Sequence, residues 1–429
     1  TGRVPASRWI IADGGVRHDA AQYAVFLQTV QLFDCRLFAI APAEAQWMDP
    51  QQRLLLEKGY AALHADGYNR ASLLAHDIGV MVGIQANDFG SMVMAKPATS
   101  LPVYAVSGFT FSVAAGRLSF VLGMQGPCYN TDTACSTSLV AAHAAQQMVR
   151  GAEGEAALTL AVNVMLMPVG HILIAGAGMT SADGRCKFLD SRANGYVRSE
   201  GLGTLLFSPR ETHIHLYSSA VRSDGKSASL TAPNGEAQVG LLQACTTELD
   251  TGATQTTTEC HGTGTALGDP IEMHSLYMAF MRARSARHVA CGVKANVGHM
   301  EPAAGMIGLV NLKYTLEAVV DQPNAHLRVL SAHVKSSLHG AACGLPTQRS
   351  CAHADGRSAN GGVSSFGYAG TIAHVRMACV AIHQESVHRA SIKYTRRAFP
   401  WRLGKKGELT PVPPRTSMYA ACWYAEAQG

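Results

Sequence analysis

Two hydrophobic periods alternate along the chain. The runs "DIGVMVGI" (77–84), "LTLAVNVML" (158–166), "GTLLFS" (203–208), "HLYSSAV" (215–221) and "HVACGVKA" (288–295) are short and largely apolar, as strands buried on both faces are. Between them, "DPQQRLLLEKGYAALHA" (49–65), "STSLVAAHAAQQMVRG" (136–151), "QVGLLQACTTEL" (238–249), "DPIEMHSLYMAFMRAR" (269–284) and "AAGMIGLVNLKYTLEAV" (303–319) read as helices. Strand and helix runs that alternate predict an α/β protein with buried sheets.

Residues 156–182 contain no Asp, Glu, Lys or Arg and are numerous enough to cross a bilayer. Asn163, Pro168, Gly170 and His171 interrupt them. "ALTLAVNVML" therefore reads as a buried strand, and "GHILIAGAGM" as a buried turn and short helix, with no membrane span. After about residue 380 the pattern fades into polar, basic, proline-bearing sequence, expected to be a linker.

The composition suits an enzyme-like core. Of 429 residues 47% are hydrophobic and 15% charged, which excludes a disordered chain. A net charge of +5 with no dominant Lys/Arg block gives no basis for nucleic-acid binding. Eleven scattered cysteines show no C-x-x-C spacing, so no metal site is indicated. Their odd number favours reduced thiols in an intracellular, by default cytoplasmic, compartment. "TGRVPASRW" lacks the apolar segment of a signal peptide.

Four segments carry candidate chemistry. In "TDTACSTSLVAAHAAQQMV" (131–149), Cys135 stands at a strand-to-helix junction among small hydroxylated residues. The positive end of a helix dipole lowers a thiol pKa from its free value of about 8.5 and favours a thiolate nucleophile. A plain buried cysteine suits the same place. In "TECHGTGTALGDPIE" (258–272), His261 precedes a glycine-rich bend, placed for acid/base work or structure. In "GVKANVGHMEPAAGMIGLVN" (292–311), Lys294 and His299 lead into a helix, with Glu301 the nearest partner for a buried Lys294. "NGGVSSFGYAGTIAHV" (360–375) is a glycine- and serine-rich turn able to aim backbone N–H groups at an oxyanion.

These four segments, in this order, resemble the β-ketoacyl synthase (ketosynthase) domain of type I polyketide synthases. "VPASRW", "MDPQQRLLLE" and "GYVRSEG" add to a resemblance that runs from about residue 4 to about 376. The resemblance implies a thiolase-like α/β fold: two similar halves in layers α-β-α-β-α, residues 1–210 and 211–380, then linker and a possible following domain over 381–429. It implies that Cys135 takes an acyl chain as a thioester, and that His261 and His299 drive decarboxylation of a malonyl-type extender and stabilise the enolate. Lys294 would support the site. The backbone N–H groups of Cys135 and Tyr368 would form the oxyanion hole, and Thr263 and Thr265 would line the pantetheine tunnel. It further implies substrates carried on the phosphopantetheine of an acyl carrier protein, no other cofactor, and a homodimer.

The chain departs from that pattern in places. The family opens with an apolar strand ending in Gly, then a Met/Cys/Arg/Phe/Pro segment. This chain starts after both, so the first strand is expected to be missing from the centre of the first half's sheet. Ile372 stands where the family favours Asn, a polar side chain lost near the site. No G-H-S-x-G acyltransferase motif appears, so that activity is expected from elsewhere. The alternatives are a non-elongating or decarboxylase-only scaffold homologue, a thiolase acting on coenzyme A thioesters, and an inactive megasynthase fragment. The presence of Cys135, His261 and His299 together argues against the first two.

Overall fold

The computed structural model describes residues 2–5, 8–9, 21–210, 212–247, 255–282, 288–351, 360–379 and 392–401. Residues 380–391 and 402–429, most of the expected linker and following segment, lie outside the described residues.

Among the described residues, ten strands carry the architecture. The first half holds β1 (Ile78–Ile84), β2 (Cys128–Thr131), β3 (Ala156–Asn163) and β4 (Gly201–Phe207). The second holds β5 (Ile214–Ser223), β6 (Thr257–Glu259), β7 (His288–Cys291), β8 (Cys343–Gly344), β9 (Asn360–Phe366) and β10 (Thr371–Cys379). The first sheet has the order β2-β1-β3-β4, with β4 antiparallel to β3 and the others parallel. The second has the order β8-β7-β6-β9-β10-β5, with β10 antiparallel to both neighbours. The run β7-β6-β9-β10 repeats β2-β1-β3-β4 in order and direction, so the halves share one topology. Every residue of β1 and β3 is buried, as unbroken apolar runs require.

That repeat corrects the expected place of the missing strand. β1 and β3 pair directly, from Ile78↔Ala156 to Ile84↔Val162, and leave no opening at the centre. The unmatched position is an edge. β5 covers β10 in the second half, whereas no described strand pairs with the outer edge of β4, which is only half-buried beyond Gly201.

Helices complete the layers: α1 (Pro50–Ala65), α2 (Phe111–Leu122), α3 (Thr137–Arg150), α4 (Pro168–Gly176), α5 (Gly235–Thr247), α6 (Gly268–Leu276) and α7 (Ala304–Ala318). α1 and α2 pack outside the first sheet, and α5 and α6 outside the second. α3 and α7 lie between the sheets. Leu139 and Ala142 of α3 and Met306, Leu309, Leu312 and Leu316 of α7 form one core with Ala161, Val363 and Val375 from both sheets. Gly305 allows their approach, because a Cβ there would stand 2.5 Å from Leu139 Cγ. The Met306 N–H then donates to Ser138 Oγ at 2.9 Å. The starts of both central helices are thereby joined.

Other expectations need revision. "HVACGVKA" stops being a strand at Cys291, and Lys294–Val297 is a helical turn. The 269–284 helix passes into a π turn at Tyr277–Met281. The glycine- and serine-rich turn of the closing segment joins the β9–β10 hairpin. α4 is not buried: Val169, Ile172 and Leu173 are exposed. No described helix is long and apolar enough to cross a membrane, and residues 156–182 divide between β3 and α4.

Residues 392–401, expected as linker, pack onto the first half. Arg397–Ala398 pairs with Leu32–Phe33, and Arg53 donates to the Phe399 carbonyl at 2.8 Å. Phe399 is buried, with its ring centroid 6.4 Å from that of Phe33. Truncating such a ring leaves a cavity, so Phe399→Ala is expected to lower unfolding free energy by about 3 kcal/mol. Denaturant melts of the two proteins measure this, and a loss below about 0.5 kcal/mol would place the segment outside the cooperative core.

Candidate active site

β2 leads into a 3-10 turn, Ala134–Ser136, and then α3. The hydroxyls around Cys135 build this turn. Thr137 Oγ1 donates to the Ala134 carbonyl at 2.6 Å and accepts the Thr133 N–H at 2.8 Å. Ser136 Oγ donates to the Thr133 carbonyl at 2.9 Å, and Asp132 accepts the Ala134 N–H at 3.0 Å. These bonds hold Ala134 at φ 55°, a left-handed conformation uncommon for a residue with a Cβ. From the facing strand, Ser365 Oγ donates to the Cys135 carbonyl at 2.6 Å. The hairpin turn also comes close: a Cβ on Gly367 would lie 2.4 Å from the Thr133 carbonyl oxygen.

The second half brings two histidines to this sulfur. His299 Nε2 lies 3.0 Å from Cys135 Sγ. The rings of His261 and His299 stand 5.7 Å apart, nearly perpendicular. Each ring has Nδ1 occupied as an acceptor: His299 by the Glu301 N–H and His261 by the Phe366 N–H, both at 3.3 Å. These bonds assign both neutral rings as Nε2–H tautomers. Burial, and then the charge of Lys294, hold both histidines well below the ordinary histidine pKa. The site thus has two neutral imidazole donors.

Buried carboxyl groups fix the loop that carries His261. Glu272 accepts the N–H groups of His261 and Gly262 at 2.6 and 2.9 Å. Asp269 accepts those of Leu189, Gly264 and Thr265 at 2.9, 3.1 and 3.3 Å. Burial raises the pKa of each to about 7 against those bonds. Thr263 and Thr265, the expected tunnel residues, have hydroxyls 3.4 Å apart on this loop, and Thr265 also accepts the Gly268 N–H at the start of α6.

Lys294 is buried, as a cation between an apolar strand and a helix was expected to be, but Glu301 is not its partner. Glu301 forms an ion pair with Arg198 at 2.5 Å. The carboxyl groups that feel the Lys294 charge are Glu259 and Glu272, both raised first by burial. The same charge reaches Cys135, His261 and His299. The backbone N–H groups of Tyr368 and Cys135 both act to lower the Cys135 thiol pKa. Ile372 packs in an apolar cluster with Ala220, Leu241, Cys245 and Phe366, whose ring lies 5.4 Å from that of His261, and an amide side chain there would be unsatisfied.

Sequence reasoning did not single out Arg198, Tyr196, Ser365 or Glu272. Tyr196 packs its ring edge against His299 at 4.8 Å. The available signal was the charge of Arg198 inside "GYVRSEG", a short motif between apolar runs. Ser365 and Glu272 act through backbone groups, which no spacing rule reveals.

The expected lowering of the Cys135 pKa by the helix end does not hold in the resting site. Burial, and then Glu301, push the thiol up to about 12; Lys294 and the two N–H groups only partly oppose this. A sulfur in a dry pocket loses more hydration than the start of α3 returns.

The chain matches two family models: "Beta-ketoacyl synthase, N-terminal domain" over residues 1–213 and "Beta-ketoacyl synthase, C-terminal domain" over residues 213–328. It is 39% identical over 398 residues to one component of the phenolphthiocerol/phthiocerol polyketide synthase of Mycobacterium tuberculosis, covering 87% of this chain and 18% of that one. For a second component of the same synthase the identity is 36% over 391 residues, covering 87% and 25%. The chain thus spans a quarter or less of these curated relatives. Among solved structures, a ketosynthase from module 6 of the bacillaene synthase of Bacillus subtilis superposes with a TM-score of 0.82 at 31% identity, covering 89% of this chain and 67% of that one. The oxazolomycin ketosynthase domain from Streptomyces albus gives 0.79 at 28%, covering 88% and 69%.

The raised thiol pKa has a measurable consequence. Alkylation by iodoacetamide proceeds through the thiolate, so the rate at Cys135 is expected to rise about tenfold per pH unit through pH 9. An exposed cysteine levels off near its free value of about 8.5. Peptide mass spectrometry after timed labelling follows Cys135 separately, with a small free thiol such as N-acetylcysteine in the same samples as the comparison.

Proposed function

The chain belongs to the β-ketoacyl synthase family, and from that membership we propose that it joins a Cys135-bound acyl chain to a malonyl-type extender by decarboxylative Claisen condensation, in polyketide or fatty acid synthesis. The observation that carries this reading is the meeting of three groups: the Cys135 thiol, the His299 Nε2 at 3.0 Å, and the His261 ring 5.7 Å from that of His299.

The chemistry follows from the donors. In loading, Cys135 Sγ attacks the thioester carbonyl of an acyl group held on a carrier protein. The oxyanion is received by the N–H groups of Cys135 and Tyr368, and the carrier's thiol leaves with the proton. In extension, the malonyl thioester oxygen accepts from Nε2–H of His261 and His299. The bond to the carboxylate breaks, carbon dioxide departs, and its electron pair becomes the enolate that these donors stabilise. The enolate carbon then attacks the acyl carbonyl on Cys135; a carbon–carbon bond forms and the sulfur leaves. Neutral histidines suit this work, since they stabilise the enolate without a full charge transfer. Lys294 sets the field of the pocket, and Thr263 and Thr265 edge the approach of the pantetheine arm. Loss of carbon dioxide supplies the carbanion, so the reading calls for no cofactor beyond the carrier's phosphopantetheine. The acyltransferase that charges the carrier is a separate partner, and the free thiols among the described residues fit a reducing, cytoplasmic setting.

The reading also includes a two-fold homodimer. β2 is an edge strand, with Cys128 and Tyr129 exposed and Phe120 exposed on the adjacent α2. A second copy of the same edge would cover it. Light scattering at micromolar concentration is expected to give twice the chain mass, and a stable, active monomer would remove this part of the reading.

Cys135→Ala is expected to abolish acyl loading and condensation. His261→Ala and His299→Ala are expected to retain acylation within about tenfold while losing at least about 100-fold in condensation. Intact-protein mass reports loading; carbon dioxide release and product analysis report the later steps. Carbon dioxide without a condensed product would point to the decarboxylase-only homologue.

A further inference from the structure

The chemistry above leaves a buried ion pair beside His299 without a task. Arg198 and Glu301 have side chains 7% and 8% exposed. Arg198 Nε donates to Oε1 at 2.5 Å and a terminal nitrogen to Oε2 at 2.8 Å, a two-pronged contact. Asn163 completes it: its amide donates to Glu301 Oε2 at 3.2 Å and to the Ser199 carbonyl at 2.8 Å.

The pair holds His299 from both sides. Arg198 lies in a two-residue strand whose neighbours grip the histidine backbone. The His299 N–H donates to the Val197 carbonyl, and the Ser199 N–H to the His299 carbonyl, both at 2.8 Å. On the other side, the Glu301 N–H is the donor that occupies His299 Nδ1. Glu301 reaches it only by adopting φ 49°, a left-handed conformation that side-chain-bearing residues seldom keep without outside support. Turning Glu301 back to an ordinary conformation would swing its N–H off the ring. Its carboxylate, tied to Arg198 and Asn163, is the support.

We propose that the Arg198–Glu301 pair, seated by Asn163, is a positioning clamp that fixes the ring orientation and Nε2–H tautomer of His299 for the condensation step. Neutral imidazole has two accessible tautomers, and the hydrogen bond at one nitrogen decides which is present. With the clamp closed, the donor faces Cys135 and the extender. With it open, Nδ1 can carry the proton and the site loses one of its two donors. Acylation of Cys135 relies on the N–H groups of Cys135 and Tyr368, so it is largely spared. The pair also opposes charge on its neighbours, Arg198 against a protonated His299 and Glu301 against an ionised Cys135.

The kinetic part of this proposal rests on the condensation reading; the tautomer part does not. The test uses the full chain with 15N-labelled histidine. Arg198→Met with Glu301→Leu removes both buried charges together and avoids stranding one. In the unaltered protein, the His299 ring is expected to show an unprotonated Nδ1 and a protonated Nε2, assigned by loss of its signals in His299→Ala. In the double variant those shifts are expected to move toward a tautomer mixture. Condensation turnover is expected to fall at least about 30-fold, while KM for the malonyl thioester and the rate of Cys135 acylation stay within about threefold. Unchanged His299 shifts in a folded double variant would overturn the proposal, as would equal loss of acylation and turnover. If the double variant shows no cooperative melting, Glu301→Gln takes its place. It keeps the shape and removes the counter-charge, with an expected turnover loss of about tenfold and the same shift in tautomer signals; unchanged signals and turnover would again overturn the clamp. Failure of the condensation reading looks different: the unaltered protein makes no condensed product, yet the His299 signals still respond to the pair.

Discussion

The site depends first on how closely the two central helices approach. Cys135 precedes α3, His299 precedes α7, and the two segments come from opposite halves of the molecule. Gly305 packs against Leu139 with no room for a Cβ, and the Ser138–Met306 hydrogen bond links the helix starts directly. A larger residue at 305 would have to shift α3, α7 or both, and sulfur and imidazole would part by the same displacement. Hydrophobic packing of α3 and α7 between two sheets supplies the free energy that holds this geometry.

Burial has a second consequence, in the charges. A dry pocket disfavours ions at rest. Both histidines are held neutral and the thiol is pushed up to about 12. The buried carboxyl groups stay in place by accepting backbone N–H bonds, as Glu272 and Asp269 do along the loop of His261. Charge is tolerated where a counter-charge is near: Arg198 with Glu301, and Lys294 near Glu259 and Glu272. Both histidines and the Cys135 thiol are uncharged at rest, beside the paired charges of Arg198 and Glu301.

The repeated topology explains the position of the chemistry. Each half has one helix running between the sheets, and each contributes what lies just ahead of that helix. The first half gives the Cys135 turn after β2. The second gives the His299 loop after β7, with the β9–β10 hairpin adding backbone donors. Cys135 lies in the first half and both His261 and His299 in the second, so folding of one half alone would not assemble the site.

Much of this was legible in the chain. Apolar runs without alternation marked β1 and β3, because a strand buried on both faces leaves polar side chains without water. The helical spacing of 49–65, 136–151 and 303–319 marked α1, α3 and α7 through the face each must bury. The four chemical segments stood out because their glycines, hydroxyls and histidines are local in sequence. Tertiary structure decided what depends on contacts between distant residues. It placed Glu301 with Arg198 rather than Lys294, and it set Ile372 in an apolar cluster with Phe366, beside the His261 ring. It set the unmatched strand position at the edge of β4, since sheet order is a matter of long-range pairing. It also raised the Cys135 pKa that the helix start alone would lower, because desolvation is summed over every atom that covers the sulfur, and covering atoms arrive only when both halves close over it.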